Sequence, residues 1–289
     1  MILTIRQFTR IFKSSKLVND TSSSIGGSPT IQGPDQYELL TKIGDGAFSN
    51  VFKARDKTTG QLVAIKVAQK RAQIGNKKKQ VKCTHVLKEV QIMRGLHHPN
   101  IVQLVHFTES KDDYYLVLDL CEGGELFHHI VRLTWFSEDL ARHVFCQVAA
   151  GVRYLHEECG VVHRDIKPEN ILIESLPDQS EFGNVKLADF GLSKVIPGTE
   201  TLTPCGTMGY TAPEVVTDQQ YSKSVDMWAL GCVLYTMLCG YPPFHGDHMI
   251  AKVVHGNYSF TSPWWDPISA SAKDLIVHLL CVDPKQRFE

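Results

Sequence analysis

From Tyr37 the chain alternates apolar and polar residues in short runs, at Tyr37–Ile43, Val51–Asp56 and Gln61–Val67, broken by Gly-rich and Thr-Thr-Gly turns. A period of two predicts strands. The spacing becomes helical around Thr84–Leu96, returns to strands at Leu104–Glu109 and Tyr114–Leu118, and is helical again beyond Leu120. Ser137 followed by Glu138 and Asp139 is a helix N-cap with acids in the first turn. It opens a run in which Leu140, Val144, Val148, Val152 and Leu155 share one helical face. A small β-rich lobe followed by a larger helical one predicts an α+β fold. The longest apolar stretch, near Val225–Leu238, is interrupted by polar residues and glycine and is too short to span a bilayer.

Residues 1–36 have a different texture. Thr21–Ser24 and Gly26-Gly27-Ser28-Pro29 make about 20–36 a flexible linker by composition. Before Asp20 there is no acid, and Arg6, Arg10, Lys13 and Lys16 lie opposite Ile5, Phe8, Ile11 and Phe12 on a helical wheel. That segment reads either as a disordered tail or as a membrane-surface or transit helix.

With 43% hydrophobic and 21% charged residues in 289, the rest is an ordinary globular chain. Lys+Arg 30 against Asp+Glu 31 gives no overall basic field to attract nucleic acid. The eight cysteines are scattered, with no Cys-x-x-Cys pair, so reduced thiols in a cytoplasmic or nuclear protein are expected. The near-zero charge hides an asymmetry. Eight bases and no acid fall in Lys66–Lys88, including Lys77-Lys78-Lys79, which leaves 22 bases against 31 acids elsewhere. The insert is either a solvated loop or an electrostatic contact for an acidic activator, a phosphorylated segment or a nuclear import receptor.

Several strings carry chemistry. Gly44-Asp45-Gly46-Ala47-Phe48-Ser49-Asn50-Val51 lies between two predicted strands, where glycines let the backbone approach phosphate oxygens. A dinucleotide fingerprint would need a helix to follow, and a strand follows instead. Val63-Ala64-Ile65-Lys66 sets a lysine in an apolar strand. A buried lysine needs an anion, and Glu89 in the next predicted helix is the natural one. His163-Arg164-Asp165-Ile166-Lys167-Pro168-Glu169-Asn170 gathers two carboxylates, two cations and a carboxamide. Asp189-Phe190-Gly191 follows, and Asn170 and Asp189 both offer the hard oxygen that Mg²⁺ prefers.

In this order, and with Ala212-Pro213-Glu214 after them, these strings resemble the eukaryotic protein kinases from about Tyr37 to the last residue. The resemblance implies a bilobal fold, with an N-lobe over 37–119 and a C-lobe over 120–289. It also implies a C-terminal end that stops before the family's final helix. It implies ATP and Mg²⁺ as cofactors, with Lys66 on the α/β-phosphates and paired to Glu89, and Asn170 and Asp189 on the metal. Asp165 is then the residue that accepts the substrate hydroxyl's proton, Lys167 neutralises the transferring phosphate, and Thr207 bridges the two. Gly44, Gly46, Val51, Ala64, Leu118, Asp119, Cys121 and Leu172 are implied to line the nucleotide site, with Leu118 as gatekeeper. Met93, Leu104, His163 and Phe190 match the family's apolar spine. Asp226 matches the clamp on the His-Arg-Asp backbone, and Arg287 the partner of Glu214. The rival class is a kinase-fold scaffold, or an inactive truncated fragment, that binds nucleotide without turnover.

Lys167 two residues after Asp165 resembles the serine/threonine kinases. Gly123-Gly124-Glu125-Leu126-Phe127 resembles the calcium/calmodulin-dependent group, close to fungal stress-responsive, MAP-kinase-activated members. There Glu125 and Glu169 match carboxylates that read arginines upstream of the acceptor, implying an Arg-x-x-Ser/Thr preference. Thr203, before Pro204, is the expected phosphate acceptor on the activation segment, modified by a MAP kinase, with Arg164 available to pair with the phosphate. Met208 stands where a proline is common. Arg6-Gln7-Phe8-Thr9 fits the same acceptor rule. Protein substrates are the expected partners of a monomer, with calmodulin left open and no nucleic-acid or membrane partner.

Overall fold

The computed structural model describes residues 34–46, 49–73, 80–82, 84–174, 183–196 and 206–289. The N-terminal segment with Thr9, the lysine triplet of the insert and Thr203 lie outside the described residues.

Five antiparallel strands build the first sheet: β1 (Tyr37–Asp45), β2 (Ser49–Asp56) and β3 (Leu62–Gln69), followed after the insert by β6 (Leu104–Glu109) and β7 (Asp113–Leu118). Their order is β1-β2-β3-β7-β6, so β3 is central. Two short strands, β4 (Arg71–Gln73) and β5 (Gln80–Lys82), pair as a hairpin at the base of the basic insert, with Arg71 opposite Lys82 in register. The insert is therefore a paired stem there rather than a loop throughout. Helix α1 (Thr84–Met93) packs on one face of the sheet.

Strand β3 shows how the alternation positions chemistry. Val63, Ile65 and Val67 enter a cluster with Tyr37, Ala54, Tyr115 and Val117 on one face. The even positions Ala64, Lys66 and Ala68 therefore share the other face, where Ala68 meets Val86 and Val90 of α1. On α1, Val86, Glu89, Val90 and Met93 fall on one side at helical spacing, and all four are buried. Lysine and carboxylate are thus brought face to face by two periodicities.

The larger half follows: β8 (Gly124–Glu125), α2 (Leu126–Leu133), α3 (Glu138–Arg153), β9 (Val161–Val162), β10 (Ile171–Ile173), β11 (Val185–Leu187), β12 (Lys194–Val195), α4 (Pro213–Val216), α5 (Ser224–Cys239), α6 (Met249–Val254) and α7 (Ala270–Leu279). Ser137 caps α3, its side chain accepting from the Leu140 amide. The helical run toward Leu155 changes to a π turn at Tyr154–Glu158. Helix α5 is buried nearly all round, because α3 and α7 pack against it. It ends at Gly240 with φ 86°, where a Cβ would come within 2.1 Å of the Thr134 carbonyl oxygen. That C-cap requires glycine. No helix among the described residues is long and apolar enough to cross a membrane.

At the far end a buried ion pair closes the helical half. The Arg287 guanidinium donates to both oxygens of Glu214, at 2.7 and 3.0 Å. Its remaining N–H groups go to the carbonyls of Cys281, Ser224 and Val282, and its plane lies over the Trp228 ring. All five donors are satisfied, which makes a guanidinium tolerable in a core.

Candidate active site

Between the sheet and the helical half runs a cleft of about 1670 Å³, lined by β1–β3, the segment after β7, the loop between β9 and β10, and residues 207–210 and 242–249. That exceeds the ~300–1,000 Å³ of an ordinary small-molecule site. There is room for a small molecule and an extended chain together.

On the sheet side, Lys66 Nζ donates to both Glu89 oxygens, at 2.7 and 2.9 Å, and reaches Asp189 Oδ1 at 3.3 Å. Burial opposes charge on Lys66, but the two carboxylates outweigh it and hold the ammonium above its ordinary pKa. Burial also raises the Glu89 carboxyl, with Lys66 pulling the other way. At Asp189 burial is overcome by Lys66 and the Gly191 amide, which lower its carboxyl and keep it ionised. Asp189 has φ 62°, in the left-handed region, and this turn brings its carboxylate to Lys66.

On the floor, Asp165, Lys167, Asn170 and Thr207 form one knot. Thr207 Oγ1 donates to Asp165 Oδ1 at 2.8 Å, and Lys167 Nζ donates to Thr207 Oγ1 at 2.7 Å and to Asp165 Oδ2 at 2.8 Å. Asn170 spends its amide on the Asp165 carbonyl and Oδ2. The knot stands on a buried frame. Asp226 accepts from the backbone amides of His163 and Arg164, at 2.8 Å each, and lies 2.8 Å from His156 Nε2. Burial alone would raise the Asp226 carboxyl, but His156 and these amides leave it lowered. The His163 ring accepts from the Asp165 amide and donates to the Ala188 carbonyl, which defines a neutral Nε2–H tautomer. Burial lowers its pKa to match. The ring sits edge-on to Phe190, 5.0 Å between centroids, and Met93 and Leu104 join the same core.

The structure brings the other expected residues to this cleft as well. Gly44, Gly46, Val51, Ala64, Leu118, Asp119, Cys121 and Leu172 all line it. At Gly46 the amide donates to the Ser49 carbonyl at 2.8 Å, and a Cβ there would crowd Ser49 at 3.2 Å. Burial pushes the Cys121 thiol up to about 12, so it stays protonated. Glu125 and Glu169 also line the cleft, both raised by burial, and Glu169 Oε2 is buried without a hydrogen-bond partner. Arg164 lies outside the cleft, donating to the Leu192 carbonyl at 2.6 Å and to Tyr221 Oη at 3.0 Å.

The sequence reading missed several groups. Lys186 bridges Asp119 and Glu174 at 3.0 and 3.3 Å, tying the segment after β7 to β11. Lys53 of β2 pairs with Glu122. His156 completes the Asp226 frame, and His128 stands beside Glu125. None of these belongs to a contiguous string.

Residues 37–289 match the family model for the protein kinase domain. The chain belongs to the protein kinase family. As a protein kinase chain it is 56% identical to the serine/threonine-protein kinase srk1 of Schizosaccharomyces pombe, over 90% of this chain and 51% of that protein. It is 50% identical to the calcium/calmodulin-dependent protein kinase type II of the same yeast, over 89% of this chain and 56% of that one. The serine/threonine-protein kinase RCK2 of Saccharomyces cerevisiae is 44% identical, over 88% and 50%. The chain spans about half the length of these relatives.

Proposed function

We propose that this chain is a serine/threonine protein kinase that moves the γ-phosphate of ATP, with Mg²⁺, to hydroxyls in Arg-x-x-Ser/Thr contexts. One observation carries the reading: the Asp165–Lys167–Thr207–Asn170 knot faces the Lys66–Glu89–Asp189 cluster across one cleft. Phosphoryl transfer asks for positioning and charge neutralisation more than covalent chemistry, and these two groups supply both.

The donor set suits Mg²⁺. Asn170 has its amide nitrogen engaged, which leaves its carbonyl oxygen, and Asp189 keeps an ionised carboxylate. Two protein oxygens are what a cation needs when it retains water and takes phosphate oxygens as well. When bound, the ion neutralises phosphate charge. Lys66, held by Glu89, orients the phosphates. Asp165 is aimed by three hydrogen-bond donors, so it orients a substrate hydroxyl and accepts its proton. Lys167 places a cation beside it. Val51, Ala64, Leu118 and Leu172 give the apolar walls for a purine, with the backbone of Asp119–Cys121 beside them.

Glu125 and Glu169 support a basophilic preference, because two half-buried carboxylates, one with an oxygen lacking a partner, favour a planar guanidinium. Activation by a MAP kinase at Thr203 rests on the Thr203-Pro204 dipeptide. Phosphopeptide mapping after treatment with an active MAP kinase tests it, and absence of phosphate on Thr203 removes it. For the activity itself, labelled ATP and an Arg-x-x-Ser peptide give turnover with the parent and none with Asp189→Ala. Equal turnover in both overturns the reading.

A further inference from the structure

Helix α2 opens with two adjacent histidines that do different things. His129 is buried, its Nε2 2.7 Å from the Gly123 carbonyl, and it holds the turn that precedes the helix. His128 faces outward with its side chain 70% exposed, its ring edge-on to Phe127 at 5.6 Å. Its Nδ1 lies 3.6 Å from Glu125 Oε2, one helical turn back. That is longer than a hydrogen bond, so the neutral ring leaves the carboxylate open, whereas the protonated ring is an ion-pair partner for it. Lys167 and Glu169, from the loop on the other side of the cleft, are the other charged groups acting on Glu125 and its surroundings, and His245 lines the same cleft.

A substrate arginine at Glu125 therefore has an internal rival. We propose that His128 is a specificity-determining residue: its charge sets how strongly Glu125 favours arginine over a neutral residue in the substrate. The inference rests on the reading of Glu125 given above. Lys167 acts on Glu125 from the loop across the cleft, whereas His128 lies beside it on the same helix. The pair is half-exposed, which limits the effect to that of a surface ion pair, about two- to fivefold in selectivity. Salt screens it.

The test measures the ratio of kcat/KM for an Arg-x-x-Ser peptide to that for its Ala-x-x-Ser counterpart, at low salt. Taking a ratio cancels effects common to both peptides. The permanent cation of His128→Lys lowers the ratio about two- to fivefold relative to His128→Asn. Equal ratios in His128→Lys and His128→Asn overturn the inference. Glu125→Gln separates the two levels of failure. If it leaves the ratio unchanged, the arginine reading falls and this inference with it. If it collapses the ratio while the two His128 variants coincide, only this inference is overturned.

Discussion

Replacing Arg287 by methionine tests whether the end of the helical half is held by charge satisfaction. Arg287 is 0% and Glu214 3% exposed at the side chain. Arg287→Met keeps much of the volume but strips Glu214 of both its guanidinium bonds and leaves three carbonyls without their donor. Breaking a buried pair from one side costs ~3–5 kcal/mol, because the surviving charge stays buried. At ~2–4 °C per kcal/mol for a domain of this size, the melting temperature should fall by about 6–20 °C. Calorimetry or urea titration of parent and variant reads it. Glu214→Met added to Arg287→Met removes the orphaned charge, so the double variant should lose less than Arg287→Met alone. Because Glu214 lies in the first turn of the helix just after the cleft residues 207–210, peptide turnover should drop in the single variant below its melting transition. A loss under about 1 kcal/mol, or a double variant whose losses simply add, would refute the reasoning.

Three further outcomes follow from the cleft. Glu89→Gln leaves Lys66 without its closest counter-charge, and kcat/KM should fall about 100-fold, the scale of a misplaced positioning group; unchanged kinetics would contradict it. Thr207→Val removes the bridge between Asp165 and Lys167, and kcat should fall about tenfold or more while nucleotide affinity is kept; a loss in affinity instead would place Thr207 elsewhere in the mechanism. His163 is lowered by burial in the folded state and returns to about 6.5 on unfolding. Its contribution to stability is complete above that value and is lost as pH falls below it toward the lowered one. The urea midpoint should decline between about pH 7.5 and 5.5, and less steeply in His163→Gln. His98, also lowered by burial, contributes to the slope that remains. Equal slopes in the two proteins would exclude His163 as a source.

Much of the site was legible because its chemistry needs residue types that do not substitute for one another. A lysine in an apolar strand demands an anion, and the period of two in β3 and the helical spacing of α1 make Glu89 that anion. The catalytic strings are contiguous, so their order survives in one dimension. What stayed hidden arises from contacts between distant segments. Lys186 meets Asp119 across 67 positions, and nothing in either neighbourhood announces it. The pairing of His128 with Glu125 depends on α2 beginning at Leu126, which sets the two one turn apart. The stem β4–β5 was obscured by its basic content, which masks a strand's alternation. Helix α5, enclosed on all sides, has no polar stripe to mark its period, so its apolar run gave no orientation.

The proposed role of Asp165, aimed by Lys167, Thr207 and Asn170, is phosphate transfer to a protein hydroxyl. Counting ADP and phosphoserine peptide formed by the parent and by Asp165→Asn, alongside the thermal shift each shows with ATP and Mg²⁺, tests it most directly. The parent should form equal amounts of ADP and phosphopeptide, and Asp165→Asn should keep the thermal shift but form no phosphopeptide. Phosphopeptide formed equally by both proteins, or ADP formed by the parent with no phosphopeptide, would contradict it.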